Sequence, residues 1–185
     1  MLKTKENFNL KLYNHFDTSE INKIVSSFSD EWLINTSRQD EYYPHKETES
    51  YFIYETDIDW KFNNKYIVSL KSNNKILNDL IEPIIKYLEE LHDGKRGQVI
   101  LIKLAANKSI ADHKDSGDYL MSVHRHHIAI QTSPNTKFFV GDEEVNMRLG
   151  DCWEINNSRE HAVINNSNKD RVHLLIDIMP YANII

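Results

Sequence analysis

The sequence carries His113-Lys114-Asp115, then His161, then Arg171. Two imidazoles and one carboxylate can hold one face of an octahedral iron(II) and leave the opposite face open for substrates and oxygen. Arg171 follows ten residues after His161. A guanidinium grips a carboxylate through two parallel hydrogen bonds, and no other side chain does so as rigidly. Together the four residues point to an iron-dependent oxygenase with a carboxylate cosubstrate.

The spacing has a structural meaning. Residues two apart on a strand point to the same face, so His113 and Asp115 can reach one metal from one strand end. His161 must arrive from a different strand. Arg125 and His127 share a face by the same rule, while His126 points the other way with Ile128 and Ile130. Arg171 shares its face with His173 and Leu175, opposite Val172, Leu174 and Ile176. Each residue has an ordinary alternative. With nine histidines in the chain, a chance His-x-Asp pair is unremarkable, and a lone arginine is commonly a surface ion pair. Order and placement on predicted strands carry the reading.

These side chains need strands to hold them, and the pattern supplies them from Gly97 onward. Val99–Leu104, Arg125–Gln131, Lys137–Val140, His161–Ile164 and Arg171–Ile178 read as short strands. Turn-prone clusters separate them: Ser133-Pro134-Asn135, Gly141-Asp142, Asn156-Asn157-Ser158 and Asn165-Asn166-Ser167-Asn168. Such strands imply a sandwich or jelly roll.

Residues 1 to about 95 read as mainly helical, with strands at Tyr51–Tyr54 and Tyr66–Leu70. Asp17 and Glu20 mark a helix start. Ile21, Ile24, Val25, Phe28 and Trp32 follow at helical spacing. A second helix is predicted from about Asn74 to Leu91. Its apolar stripe is Ile76, Leu77, Leu80, Ile81, Ile84, Ile85, Leu88 and Leu91. Pro83 should kink or break it, and Gly94 should stop it. The whole chain is expected to form one oxygenase domain over 1–185, with helix-rich support over 1–95 and the site-bearing β core over 96–185. The helices should cover an outer face of the sheet.

Composition sets the class. At 185 residues, with 27% charged and 40% hydrophobic residues, the chain can bury a proper core. A net charge of −6 argues against a nucleic-acid partner. No apolar run approaches the roughly 20 residues that span a bilayer, and the first residues lack the apolar stretch of a secretion signal. One cysteine, Cys152, excludes an internal disulfide. A cytoplasmic protein with no membrane partner is expected.

Residues from about Val99 to Pro180 resemble the aspartyl/asparaginyl β-hydroxylase family of iron(II)- and 2-oxoglutarate-dependent dioxygenases. The matching segments are His113-Lys-Asp115, His124-Arg-His-His-Ile128, Phe139-Val-Gly-Asp142, Gly150-Asp-Cys-Trp-Glu154, Asn156-Asn-Ser158, His161-Ala-Val-Ile-Asn165 and Asp170-Arg-Val-His-Leu-Leu-Ile-Asp177. His45-Lys-Glu-Thr48 is similar to a segment nearer the family's N-terminus. The resemblance implies a mainly β fold with N-terminal helices (α+β), a double-stranded β-helix of the jelly-roll or cupin kind with helices packed outside. It implies Fe(II), 2-oxoglutarate and O2, and hydroxylation of an amino-acid side chain in a small molecule or peptide. His113, Asp115 and His161 match the iron ligands. Arg171 matches the arginine on the distal carboxylate of 2-oxoglutarate, and Arg125 and His127 match a motif contacting the same cosubstrate. Asp115 places the chain with the three-ligand members rather than those with two histidines alone. Asn107 stands where many members have glycine before the first metal strand; asparagine also tolerates a left-handed backbone.

Arg159 and His45 are candidates for charged groups of a substrate, and Tyr119 and Trp153 for lining its pocket. Two other classes fit parts of the pattern. One is a cupin-like metal protein with 2-oxoglutarate-independent chemistry, for which Arg171 and Arg125 together have no use. The other is a non-catalytic ligand-binding β-sandwich, which would need no iron.

Overall fold

The computed structural model describes residues 7–41, 43–56 and 66–184, with backbone alone at Glu41. Residues 1–6, on which the reading of the N-terminus partly rests, lie outside them. In chain order the elements are β1 (Leu10–His15), α1 (Ser19–Val25), α2 (Ser37–Glu41), β2 (Thr48–Thr56), β3 (Val68–Leu70) and α3 (Lys75–Leu91). Then come β4 (Gly94–Leu104), β5 (Ser109–His113), α4 (Asp118–Ser122), β6 (His124–Gln131), β7 (Thr136–Val140), β8 (Glu143–Val145), β9 (Asp151–Ile155), β10 (His161–Asn165) and β11 (Arg171–Pro180).

The strands form two antiparallel sheets. The larger has the order β1-β9-β6-β11-β4-β2-β3 and the smaller β5-β10-β7-β8. Side-chain alternation divides the large sheet into two faces. Ile128, Ile130, Val172, Leu174, Ile176, Val99 and Leu101 lie on one face, packed under Ile21 and Val25 of α1 and Leu77, Ile81, Ile84, Ile85 and Leu88 of α3. Leu104, Ala129 and Ile155 lie on the other, against Ile110, Phe138, Val140 and Val163 of the small sheet. This is the expected double-stranded β-helix with helices on its outer face. Arg125, His127, Arg171 and His173 therefore point between the sheets.

The structure corrects the N-terminal half in several places. It adds β1, which the sequence pattern did not indicate, while the two expected strands are present as β2, longer at both ends, and β3, shorter at its start; together they complete both edges of the large sheet. The helix starting near Asp17 does not run to Trp32. It ends at Val25, where the Ser26 and Ser27 hydroxyls donate back to the carbonyls of Asn22 and Ile24, each at 2.7 Å, an arrangement that competes with continued helix. Trp32 is buried instead by a single 3-10 turn at Asp30–Leu33.

Asn74 caps α3 as its position requires, accepting from the Leu77 N–H at 3.0 Å. The helix then passes through Pro83 without a break. Pro83 faces solvent, where water can satisfy the carbonyl that lacks its partner. Ile76 and Leu91, predicted on the buried stripe, are exposed at the two ends. Gly94 is not the helix stop. Asp93 takes the left-handed turn (φ 43°), and Gly94 begins β4 where a Cβ would meet the Met179 carbonyl. Asn107 adopts the left-handed backbone (φ 60°) that its position asks for. No described helix is long and apolar enough to cross a membrane.

Candidate metal centre

β5 and β10 pair with His113 directly opposite His161. The two imidazole centroids lie 4.2 Å apart. Asp115 sits just past the end of β5, its backbone N–H held by the Asn157 carbonyl at 3.0 Å. One ligand atom from each of His113, Asp115 and His161 falls within 4.8 Å of the other two. His161 Nε2 is 3.9 Å from Asp115 Oδ1.

The hydrogen bonds behind these atoms fix their chemical states. His113 Nδ1 lies 2.8 Å from the Ala111 carbonyl, and His161 Nδ1 lies 3.0 Å from the Arg159 carbonyl. A carbonyl only accepts, so each Nδ1 carries a proton, and in the neutral ring Nε2 is left with the lone pair. Burial lowers the His161 pKa against the pull of Asp115, which favours the neutral ring. Asp115 Oδ2 accepts from Arg125 Nη1 at 2.6 Å and from Asn157 Nδ2 at 3.0 Å, which leaves Oδ1 toward His161. Burial would raise the Asp115 pKa, but the Arg125 charge, the histidines beside it and the Asn157 hydrogen bond together outweigh burial and hold the carboxyl well below its usual range. Two neutral imidazoles and one carboxylate are the states a divalent metal requires. The donor set fits iron(II).

Arg125 is committed to carboxylates. It is 6% exposed, and its Nε and Nη2 donate to the two oxygens of Asp177 at 2.9 and 2.8 Å, while Nη1 takes Asp115. Asp177 is fully buried and also accepts from the Tyr119 hydroxyl at 3.2 Å. That hydroxyl in turn accepts the Gln98 N–H at 2.8 Å. Tyr119, a candidate for the pocket wall, stands instead behind Asp177. A chain of contacts thus runs from β4 through Tyr119, Asp177 and Arg125 to Asp115. Gly97 makes room for it, since a Cβ there would overlap the Tyr119 hydroxyl. Gly97→Ala should therefore cost about 1–3 kcal/mol in denaturant unfolding through overpacking.

Arg171 is 1% exposed and has no carboxylate partner among the described residues. Its Nη2 donates to His173 Nδ1 at 2.7 Å, and its guanidinium lies 5.6 Å from the Phe138 ring centre. Its Nε and His173 Nε2 are buried without hydrogen bonds, as is His127 Nδ1 on the neighbouring strand. Burial, with the charge of Arg38 added, pushes the Arg171 pKa down to about 9. A buried cation left unpaired is costly, and a carboxylate from a small diacid would satisfy it.

Arg38 escaped the sequence reading. It lies on α2 and donates from Nη2 to His45 Nε2 at 3.1 Å, while its Nη1 is buried without a partner. Burial, with Arg125 second, lowers its pKa to about 10. The His45 ring meets the metal-side ring of His113 edge-on, with centroids 5.1 Å apart. His45 thus lies beside the cluster. Arg159 does not turn inward: its side chain is exposed and reaches Asn7 Oδ1 at 3.1 Å. Trp153 sits opposite His127 on β9 and packs on the core between the sheets. No periodicity marks a five-residue helix, so Arg38 had no sequence signal beyond its type.

The jelly-roll fold that carries this His/Asp/His cluster has counterparts among solved structures. Viral collagen prolyl hydroxylase from Paramecium bursaria Chlorella virus-1, solved with 2OG, aligns at TM-score 0.58 and 8% identity, covering 95% of this chain and 97% of that one. A 2OG-Fe(II) oxygenase family oxidoreductase from Burkholderia pseudomallei aligns at 0.57 and 9%, covering 92% and 84%. The non-heme monooxygenase ThoJ, as its nickel complex, aligns at 0.56 and 12%, covering 93% and 74%. No curated protein sequence matches significantly. The aspartyl/asparaginyl beta-hydroxylase profile matches residues 26–180, and the chain belongs to that family.

Proposed function

We propose that this protein is an iron(II)- and 2-oxoglutarate-dependent dioxygenase that hydroxylates an amino-acid side chain, in a free amino acid, a peptide or an amino-acid-like metabolite. The observation that carries the reading is the convergence of His113, Asp115 and His161, with each Nε2 bared by a backbone carbonyl on the far side of its ring. With iron(II) and 2-oxoglutarate bound, such a centre couples decarboxylation of the keto acid by O2 to hydroxylation of a C–H bond.

The chain's own residues then have separable tasks. His113 and His161 supply nitrogen and Asp115 its Oδ1. Arg125 and Asn157 hold the other Asp115 oxygen, so the carboxylate stays ionised and aimed. Arg171 takes the distal carboxylate of 2-oxoglutarate, with Phe138 fixing its plane and His127 and His173 beside it. The geometry gives Arg125 a further task, because its hydrogen-bonding nitrogens already serve Asp115 and Asp177. Arg38 is the group we assign to a carboxylate on the substrate. It is cationic, its Nη1 lacks a partner, and it reaches His45 beside the centre. The supported substrate is therefore an acidic one.

A 2-oxoglutarate-independent metal protein would leave the buried Arg171 without a counter-charge, and a non-catalytic sandwich would leave the three ligands without a purpose. Succinate release with iron(II), 2-oxoglutarate and a panel of free amino acids and peptides tests the proposal. Turnover above the uncoupled rate is expected with carboxylate-bearing compounds; no succinate with any member would count against it. Arg171→Lys keeps the charge but loses the planar fork. It should raise KM for 2-oxoglutarate about tenfold or more, roughly 1.4 kcal/mol of binding, with less effect on kcat. Arg38→Met should raise KM for the acidic substrate and leave KM for 2-oxoglutarate nearly unchanged.

A further inference from the structure

The motif His124-Arg125-His126-His127 places side chains on both faces of β6. Arg125 and His127 enter the space between the sheets. His126 points to the opposite face, under the C-terminal end of α3. There it meets His92, the residue that ends α3, with Nε2 to Nε2 at 3.0 Å. Glu154 on β9 is paired directly with His126 and shares its face. One ligand atom from each of His92, His126 and Glu154 lies within 4.8 Å of the other two.

We propose that His92, His126 and Glu154 form a second divalent-cation site, suited to zinc, on the helix-covered face of the large sheet. Two imidazole nitrogens and one carboxylate oxygen are a zinc donor set, with a fourth position for water. Ligand nitrogens around a tetrahedral zinc stand roughly 3.3 Å apart, given Zn–N bonds of about 2.05 Å; the two Nε2 atoms are close to that already. Without a metal, only one proton can sit between two neutral imidazoles that face each other in this way.

A second observation points to a ligand. His126 is fully buried and Glu154 is 3% exposed, and Glu154 Oε2 makes no well-formed hydrogen bond, although the Tyr13 hydroxyl reaches this carboxylate and lowers its pKa. Its Oε1 is fixed by His124 Nδ1 at 2.6 Å, a supporting contact of the kind that orients metal-binding carboxylates. The His124 ring also stacks on His92, centroids 3.9 Å apart. Tyr13 closes the outer side, edge-on to both His92 and His126, with the Lys11 ammonium over its own ring. Protonation states agree with the geometry. Burial holds His92 at about 3 and His126 at about 4, so both are neutral. Burial would raise the Glu154 pKa, but hydrogen bonds from His124 and Tyr13 help bring it to about 2. A metal here would clamp the end of α3 to β6 and β9.

The test uses the full chain with His113→Ala and His161→Ala, which removes the first centre's imidazoles. Cobalt(II) alone is the probe. One bound equivalent is expected, with the intense visible absorption of four-coordinate cobalt. Zinc at about 100 Kd should raise Tm by roughly 5–10 °C. Adding His92→Ala, at a half-exposed helix end, or the isosteric Glu154→Gln should abolish both signals. Absence of binding in the parent double variant, with intact circular dichroism, would overturn the proposal. So would binding that survives His92→Ala. If either added substitution disturbs folding, zinc equilibrium dialysis of the double variant decides: one equivalent supports the site and none overturns it.

Discussion

Asp115→Ala should lower succinate-coupled turnover more than about 100-fold while the chain stays folded. The size follows from position. Loss of a group that merely supports a metal ligand costs about 10–100-fold, and the proposed function makes Asp115 a ligand itself. Its Oδ1 faces His161, and its Oδ2 is already occupied by Arg125 and Asn157. The fold should survive because Arg125 keeps two hydrogen bonds to Asp177 after the change. Thermal melting within a few degrees of the parent, together with lost iron-dependent turnover, is the expected pair of results. Full activity would place this chain with family members that manage on two histidines.

Arg125→Met should cost stability as well as activity. Asp177 is fully buried, and the Asp115 side chain nearly so; Arg125 bonds both. Removing the cation from a buried charge network leaves uncompensated carboxylates, a loss of about 3–5 kcal/mol. The buried methionine recovers packing but no charge. Denaturant unfolding measures this directly. The expected curve shifts its midpoint strongly with little change in slope. A loss below about 1 kcal/mol would mean that the two carboxylates are not held by Arg125. The contrast between the variants is informative: Asp115→Ala removes chemistry and spares the fold, whereas Arg125→Met weakens both.

The His113, Asp115 and His161 cluster and the inward face of Arg171 were legible in the sequence for a physical reason. Strand alternation is a short-range rule, and His113-x-Asp115, Arg125-x-His127 and Arg171-x-His173 each express it over three residues. The large sheet then had only to bring β6 and β11 side by side. What was not legible depends on contacts distant along the chain. β1 is six residues long with lysine and asparagine in it, and exists because β9 offers an open edge. The α1 helix stops where two serine hydroxyls turn back on its carbonyls, which no apolar period shows. Pro83 looked like a break, but its exposed position lets the helix continue. Arg38 gains importance only because α2 carries it to His45 beside the centre. Arg125 could be assigned to the correct face from alternation, yet its commitment to Asp115 and Asp177 required the fold.

The most direct measurement is an anaerobic titration of the metal-free chain with iron(II) and 2-oxoglutarate, followed by the weak visible charge-transfer band of the iron–keto-acid chelate. The account predicts a saturable band at one equivalent of iron that depends on 2-oxoglutarate, is lost in His161→Ala, and needs a higher 2-oxoglutarate concentration in Arg171→Lys. A folded chain that shows no band at saturating iron and 2-oxoglutarate would contradict it.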